Sequence, residues 1–116
     1  MQTEVIKMAI VVVFIILDFV SGIAKSVKDK DFTSARMREG LYHKCAEVFA
    51  VIVTYFMQYS LPRIGLAVDF PLTTVIVTYV VIMEIGSIIE NIGQINPQLV
   101  GPLSEIFEKI GGKKDD

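Results

Sequence analysis

At 116 residues the chain is long enough for one domain, and 53% of it is apolar, more than so small a protein can hide from water. Eleven Lys and Arg against thirteen Asp and Glu leave a formal charge of −2, and no basic run interleaved with aromatics marks a nucleic-acid surface. One Cys, one His and no Trp exclude an internal disulfide, a cysteine metal cluster and the usual catalytic triads, so neither an enzyme nor a cofactor is expected.

The first membrane span is predicted over residues 5–27, around MAIVVVFIILDFV. Between Ile10 and Val20 ten residues are Val, Ile, Leu or Phe. They contribute about −3 to −6 kcal/mol of insertion free energy, against about +2.5 to +3.5 kcal/mol for Asp18. Lys7, the apolar run from Met8 to Leu17 and Gly22-x-Ala24 imitate a signal peptide. Asp18 interrupts that run, however, and two later spans would hold the product in the membrane regardless.

Residues 25–44, KSVKDKDFTSARMREGLYHK, form the expected first loop, with six bases against three acids. A second span follows over 45–61. It is the weakest, because its seven strongly apolar residues give only about −2 to −4 kcal/mol. Glu47 and Gln58 oppose it, Tyr55 and Tyr59 suit its interfacial end, and Pro62 stops it. The link over 62–69 carries one base, Arg63, and one acid, Asp69. The third span covers 70–92, with Pro71 in the first turn. Six bases in loop one against one in loop two place the N-terminus outside and the C-terminus inside.

Beyond Asn91, Gly93 and Asn96-Pro97 are expected to break the helix. A short amphipathic helix over 102–110 puts Leu103, Ile106, Phe107 and Ile110 on one face. It would lie on the cytoplasmic leaflet or on the protein's own loops. Gly111-Gly112 stops it, and KKDD is a solvated tail. The fold class is therefore an all-α membrane protein: three transmembrane helices, N-out and C-in, plus a C-terminal amphipathic helix, in a single domain.

Acids inside the spans are the unusual chemistry, because ionised groups in lipid are costly and face partners or water. Asp18 lies about 10 Å below Lys25, and Glu84 roughly 9–10 Å from the Glu90-Asn91 end. Glu47 sits just inside Lys44. Each span carries one polar stripe at helical spacing: Asp18, Ser21, Gly22 and Lys25 on the first; Glu47, Val51, Thr54 and Gln58 on the second; Thr73, Val77, Val80, Glu84, Ser87 and Asn91 on the third. Candidate members of a charged network are Asp18, Glu47 and Glu84 with Lys25, Arg38 and Lys44. Ser21, Gly22, Ser87 and Asn91 are the candidates for close helix packing. Three readings stand for the acids: pairing that holds helices together, the wall of a water-lined oligomeric opening, or an ion relay. Three such helices cannot enclose a pore alone, so the stripes are expected to need sister copies. Cys45 reads as a buried small hydrophobe and His43 as a solvated loop residue.

The apolar span followed by Asp18-x-x-Ser21-Gly22, then Thr33-Ser34-x-x-Met37-Arg38-x-Gly40-Leu41-x-x-Lys44, resembles the toxin-secretion/phage-lysis holin family, which includes holin-like exporters of large clostridial toxins. Glu84-x-x-Ser87-Ile88-x-Glu90-Asn91, followed by Pro97, is similar to that family's second motif, with Met83 where a polar residue is expected. The likeness covers about residues 10–99. It implies a phage-encoded homo-oligomer of the bacterial cytoplasmic membrane. Such a protein permeabilises that membrane and lets an endolysin, or in related systems a toxin, pass. It also raises the idea of a second start at Met8, whose product would lack Glu4 and Lys7. Two other classes remain: a small selective ion channel or transporter subunit, and a membrane adaptor docking a soluble partner.

Overall fold

A computed structural model describes residues 2–30 and 33–110. Four α-helices follow one another: α1 (Gln2–Lys28), α2 (Ser34–Ser60), α3 (Leu72–Ile95) and α4 (Val100–Lys109). Short 3-10 turns occupy Leu61–Ile64 and Pro97–Leu99. There is no strand among the described residues. Three helical segments, Gln2–Lys28, Ser34–Ile64 and Leu72–Ile95, are long and apolar enough to cross a membrane. At about 1.5 Å per residue the shortest still reaches about 36 Å, beyond a hydrocarbon layer of about 30 Å.

Helix α2 starts eleven residues before the expected boundary at 45. Ala35, Arg36, Met37, Arg38, Glu39 and Leu41 all favour helix, and Thr33 caps it, its Oγ1 accepting from the Arg36 N–H at 3.2 Å. The supposed 25–44 loop is therefore mostly helix, and the link lies between Lys28 and Ser34. The third span is likewise shifted: α3 begins after Pro71 and runs through Gly93 to Ile95. Asn96 stops it, its side chain accepting from the Gln98 N–H at 3.2 Å. After α2, Gly65 takes the left-handed conformation (φ 92°) that closes the turn onto the Leu61 and Pro62 carbonyls.

The three long helices run up, down and up. Both α1 and α2 pack along α3, whereas α1 and α2 touch each other over much less of their length. The apolar core is thin: Val11 and Ile15 from α1, Val51 from α2, Val77 and Val80 from α3. Most large apolar side chains point outward, Phe49 and Phe56 at 66% and 60% exposure among them. In water that surface would be a liability; against lipid it is the expected exterior.

Polar ties fasten both ends. At the 60–72 end Gln58 Oε1 accepts from the Thr73 N–H at 2.8 Å, one of the donors left open where a helix begins. Lys7 Nζ donates there to Thr74 Oγ1 at 2.7 Å and to Glu4 at 3.1 Å. At the opposite end Lys28 Nζ donates to the Gln94 carbonyl at 3.0 Å.

Helix α4 packs on α3 rather than on loops. It folds back antiparallel along α3, with Val100 against Gly93 and Phe107 about 3.7 Å from the position of a Gly86 Cβ. Leu103 and Phe107 face Phe14, Leu17, Ile85 and Ile89, and Glu105, Glu108 and Lys109 stay exposed. The expected stop at Gly111-Gly112 and the KKDD tail lie outside the described residues.

Candidate functional site: an ion cluster inside the bundle

The stripes turn toward one another. On α3, Thr73, Val77, Val80, Glu84 and Asn91 are all buried, as their spacing predicted, and Ser87 is exposed. On α1 the buried positions are Val11, Ile15 and Asp18, at i, i+4 and i+7. On α2 Val51 is buried, with Lys44, Glu47, Val48, Thr54 and Gln58 half-buried along the same line.

Lys44 is the centre. Because α2 begins at Ser34, Lys44 lies ten residues inside it, about 15 Å along the axis. Its ammonium bonds Asp18 Oδ2 of α1 and, at 2.8 Å, Glu84 Oε1 of α3. Glu47 stands 4.0 Å away on the next turn, and its Oε1 is buried without a hydrogen-bond partner. One ammonium thus joins all three long helices and faces three carboxylates. Asp18 and Glu84 are 5% and 3% exposed, a depth at which an unpaired charge costs several kcal/mol.

Asn91 completes the arrangement. Its Nδ2 donates to Asp18 Oδ1 at 3.1 Å and to Ser21 Oγ at 2.9 Å, while Ser21 Oγ donates to the Asp18 carbonyl at 3.0 Å. Gly22 lies alongside, where a Cβ would meet Asn91 Nδ2 at an ordinary 3.6 Å. Of the candidate network, then, Asp18, Glu47, Glu84 and Lys44 come together. Lys25 and Arg38 make no hydrogen bond or ion pair among the described residues; Lys25 is half-buried higher on α1 and Arg38 is exposed. The expectation that only sister copies could satisfy the stripes is corrected, since one chain brings the charges together itself.

A cleft of about 360 Å³ opens beside this cluster between α1 and α2, toward the 28–34 end. Ser87 lines it and makes no helix–helix hydrogen bond among the described residues. His43 also lines it, from within α2 rather than from a loop. Cys45, expected to be buried, is exposed, because the earlier helix start turns it to the outer face. Lys44 is one of the three bases the sequence offers for the network, and charge counting misses only its depth by placing it at the membrane edge. The signal was nonetheless present: Lys44, Glu47, Val51, Thr54 and Gln58 continue one stripe at i, i+3, i+7, i+10 and i+14.

Among proteins already classified, the sequence profile of the bacteriophage holin family matches residues 4–112, nearly the whole chain. The chain belongs to the bacteriophage holin family. No curated protein and no solved structure matches it. Holin membership agrees with three helices long and apolar enough to cross a membrane, and carries with it phage origin, pore formation and host lysis.

Proposed function

We propose that this holin oligomerises in the bacterial cytoplasmic membrane, N-terminus outside and C-terminus inside, and permeabilises it so that an endolysin or an exported toxin crosses. The observation that carries the reading is the Asp18–Lys44–Glu84 cluster, a charged interior within an apolar exterior. In the compact chain this interior is hidden, so single copies rest in lipid without conducting. When copies associate, α1 and α2 separate along the cleft where they touch least, and the charged seam becomes the wall of a wet opening.

The test is to express the chain in a bacterium together with a cytoplasmic murein hydrolase. Escape of the folded hydrolase followed by lysis is expected. Ion-specific currents with the hydrolase retained would instead identify a selective channel, and absence of any leakage would identify an adaptor; either overturns the proposal.

A further inference from the structure

We propose that α4 is a strap that leaves α3 when the spans enter a bilayer and comes to lie flat in the headgroup layer. This rests on the proposed function in one respect, that α1, α2 and α3 cross the membrane. Depth is the first reason. Phe107 packs against Gly86, nine residues short of Ile95 and so about 13 Å down α3. A helix of about 36 Å centred in a hydrocarbon layer of about 30 Å leaves only about 3 Å outside at each end. Phe107 on the docked helix therefore stands about 10 Å inside the hydrocarbon.

The second reason is what docked α4 shows to that layer. Glu105, Glu108 and Lys109 are exposed on the side opposite Leu103 and Phe107, about 7–13 Å inside the hydrocarbon. Even paired with one another, ionised groups facing lipid are costly. Flat on the leaflet, the same helix puts Leu103, Ile106, Phe107 and Ile110 into the acyl boundary and its three charges into water.

The third reason is the attachment. Apolar clefts of about 210 and 290 Å³ flank the docked helix, each lined by Phe107 and Ile110, so its far half fills the groove of α1 and α3 incompletely. Its near half has a pivot. Val100 is held against Gly93, but Gly101 follows with nothing within 4 Å of its Cβ position, and Pro102 has no N–H to bond back across it. The helix swings beyond Val100 while that contact stays. What the swing bares is apolar, Phe14, Leu17, Ile85 and Ile89, a face that lipid tails cover as well as α4 does. Outside a bilayer the same face needs α4 to keep it from water, so the strap's position follows insertion.

The experiment measures a distance in the full chain. On a Cys45→Ser background, nitroxide labels go on Met83→Cys and Ile110→Cys, both exposed and level with each other on the docked pair. Packed helices lie about 8–10 Å apart, so docked labels broaden each other's spectra. With α4 on the leaflet they stand more than about 20 Å apart, because Met83 is about 18 Å down α3 from Ile95 and α4 extends about 15 Å sideways. In bilayer vesicles, with labelled chain diluted into unlabelled, broadening should be absent. Glu105→Leu/Glu108→Leu/Lys109→Leu, which removes the polar face, should restore it and raise the docked share more than about tenfold. Glu105→Gln/Glu108→Gln should shift that share the same way by less. Broadening in the unsubstituted α4, with the Met83 label shielded from an aqueous relaxation agent, overturns the strap and leaves the spanning helices standing. A Met83 label that the agent reaches overturns both. Helical variants that remain unbroadened also overturn the strap, because charge would then not be what keeps α4 off α3.

Discussion

Lys44 holds two carboxylates that belong to two other helices, so its loss leaves both without their cation in a place water reaches poorly. Breaking a buried pair from one side costs about 3–5 kcal/mol, far more than the methylene packing that methionine would restore. Lys44→Met should therefore lower the unfolding free energy by about that amount, read by denaturant titration in detergent micelles. A loss under about 1 kcal/mol would mean the pair is solvated, as surface pairs are. Asn91→Leu should cost less, about 1–3 kcal/mol, because it strips hydrogen bonds from Asp18 and Ser21 without removing a charge. Asp18, Glu84 and Asn91 were legible as inward-facing because acids and amides stand out against apolar helices. Lys44 was legible only as one of three candidate bases beside Lys25 and Arg38, since a base at the end of a basic stretch also looks like an anchor; the partners across the bundle single it out.

At the level of helices, the stripe on α3 was readable at every position except Ser87, because its period of 3.6 is imposed by burial on one side. The start of α2 was not, since a helix that leaves the lipid carries on in polar residues that hydropathy ignores. Nor was the docking of α4. Its amphipathic spacing allows any apolar partner, and the close contact of Gly93 with Val100 selects α3. A Cβ on Gly93 would lie 2.4 Å from Val100 Cγ2, and a valine so close to the backbone cannot swing away. Gly93→Ala should therefore displace the start of α4 and cost about 1–3 kcal/mol of stability. The pair Gly93→Ala/Val100→Ala should recover most of it, with a spin-label distance between α3 and α4 returning toward its original value. Failure of the second substitution to rescue would place the strain within α3 itself.

The molecule as a whole has an apolar surface and a charged middle, and its two ends differ in charge. With Lys44 inside the bundle, Lys25, Lys28, Lys30, Arg36 and Arg38 remain at the 28–34 end, against Lys7 and Arg63 at the other. The inequality still favours the 28–34 end on the cytoplasmic side. On a Cys45→Ser background, Ile64→Cys should react with an impermeant maleimide on intact cells, and Lys30→Cys only after disruption; the opposite pattern would invert the topology. The charged middle admits a sharper test, because replacing a buried ion group by apolar side chains of similar volume is often neutral or stabilising by about 1–4 kcal/mol. Asp18→Leu/Lys44→Met/Glu47→Leu/Glu84→Leu, which removes all three carboxylates with their cation, should thus insert and unfold at or above the parent midpoint, although Lys44→Met alone is crippled. If the cluster only glued helices together, this quadruple variant would still release a cytoplasmic hydrolase on the parent's schedule. If the charged seam must be wetted for the membrane to open, an equally abundant and stable protein will leave the cells intact, since its interior no longer presents charge to water.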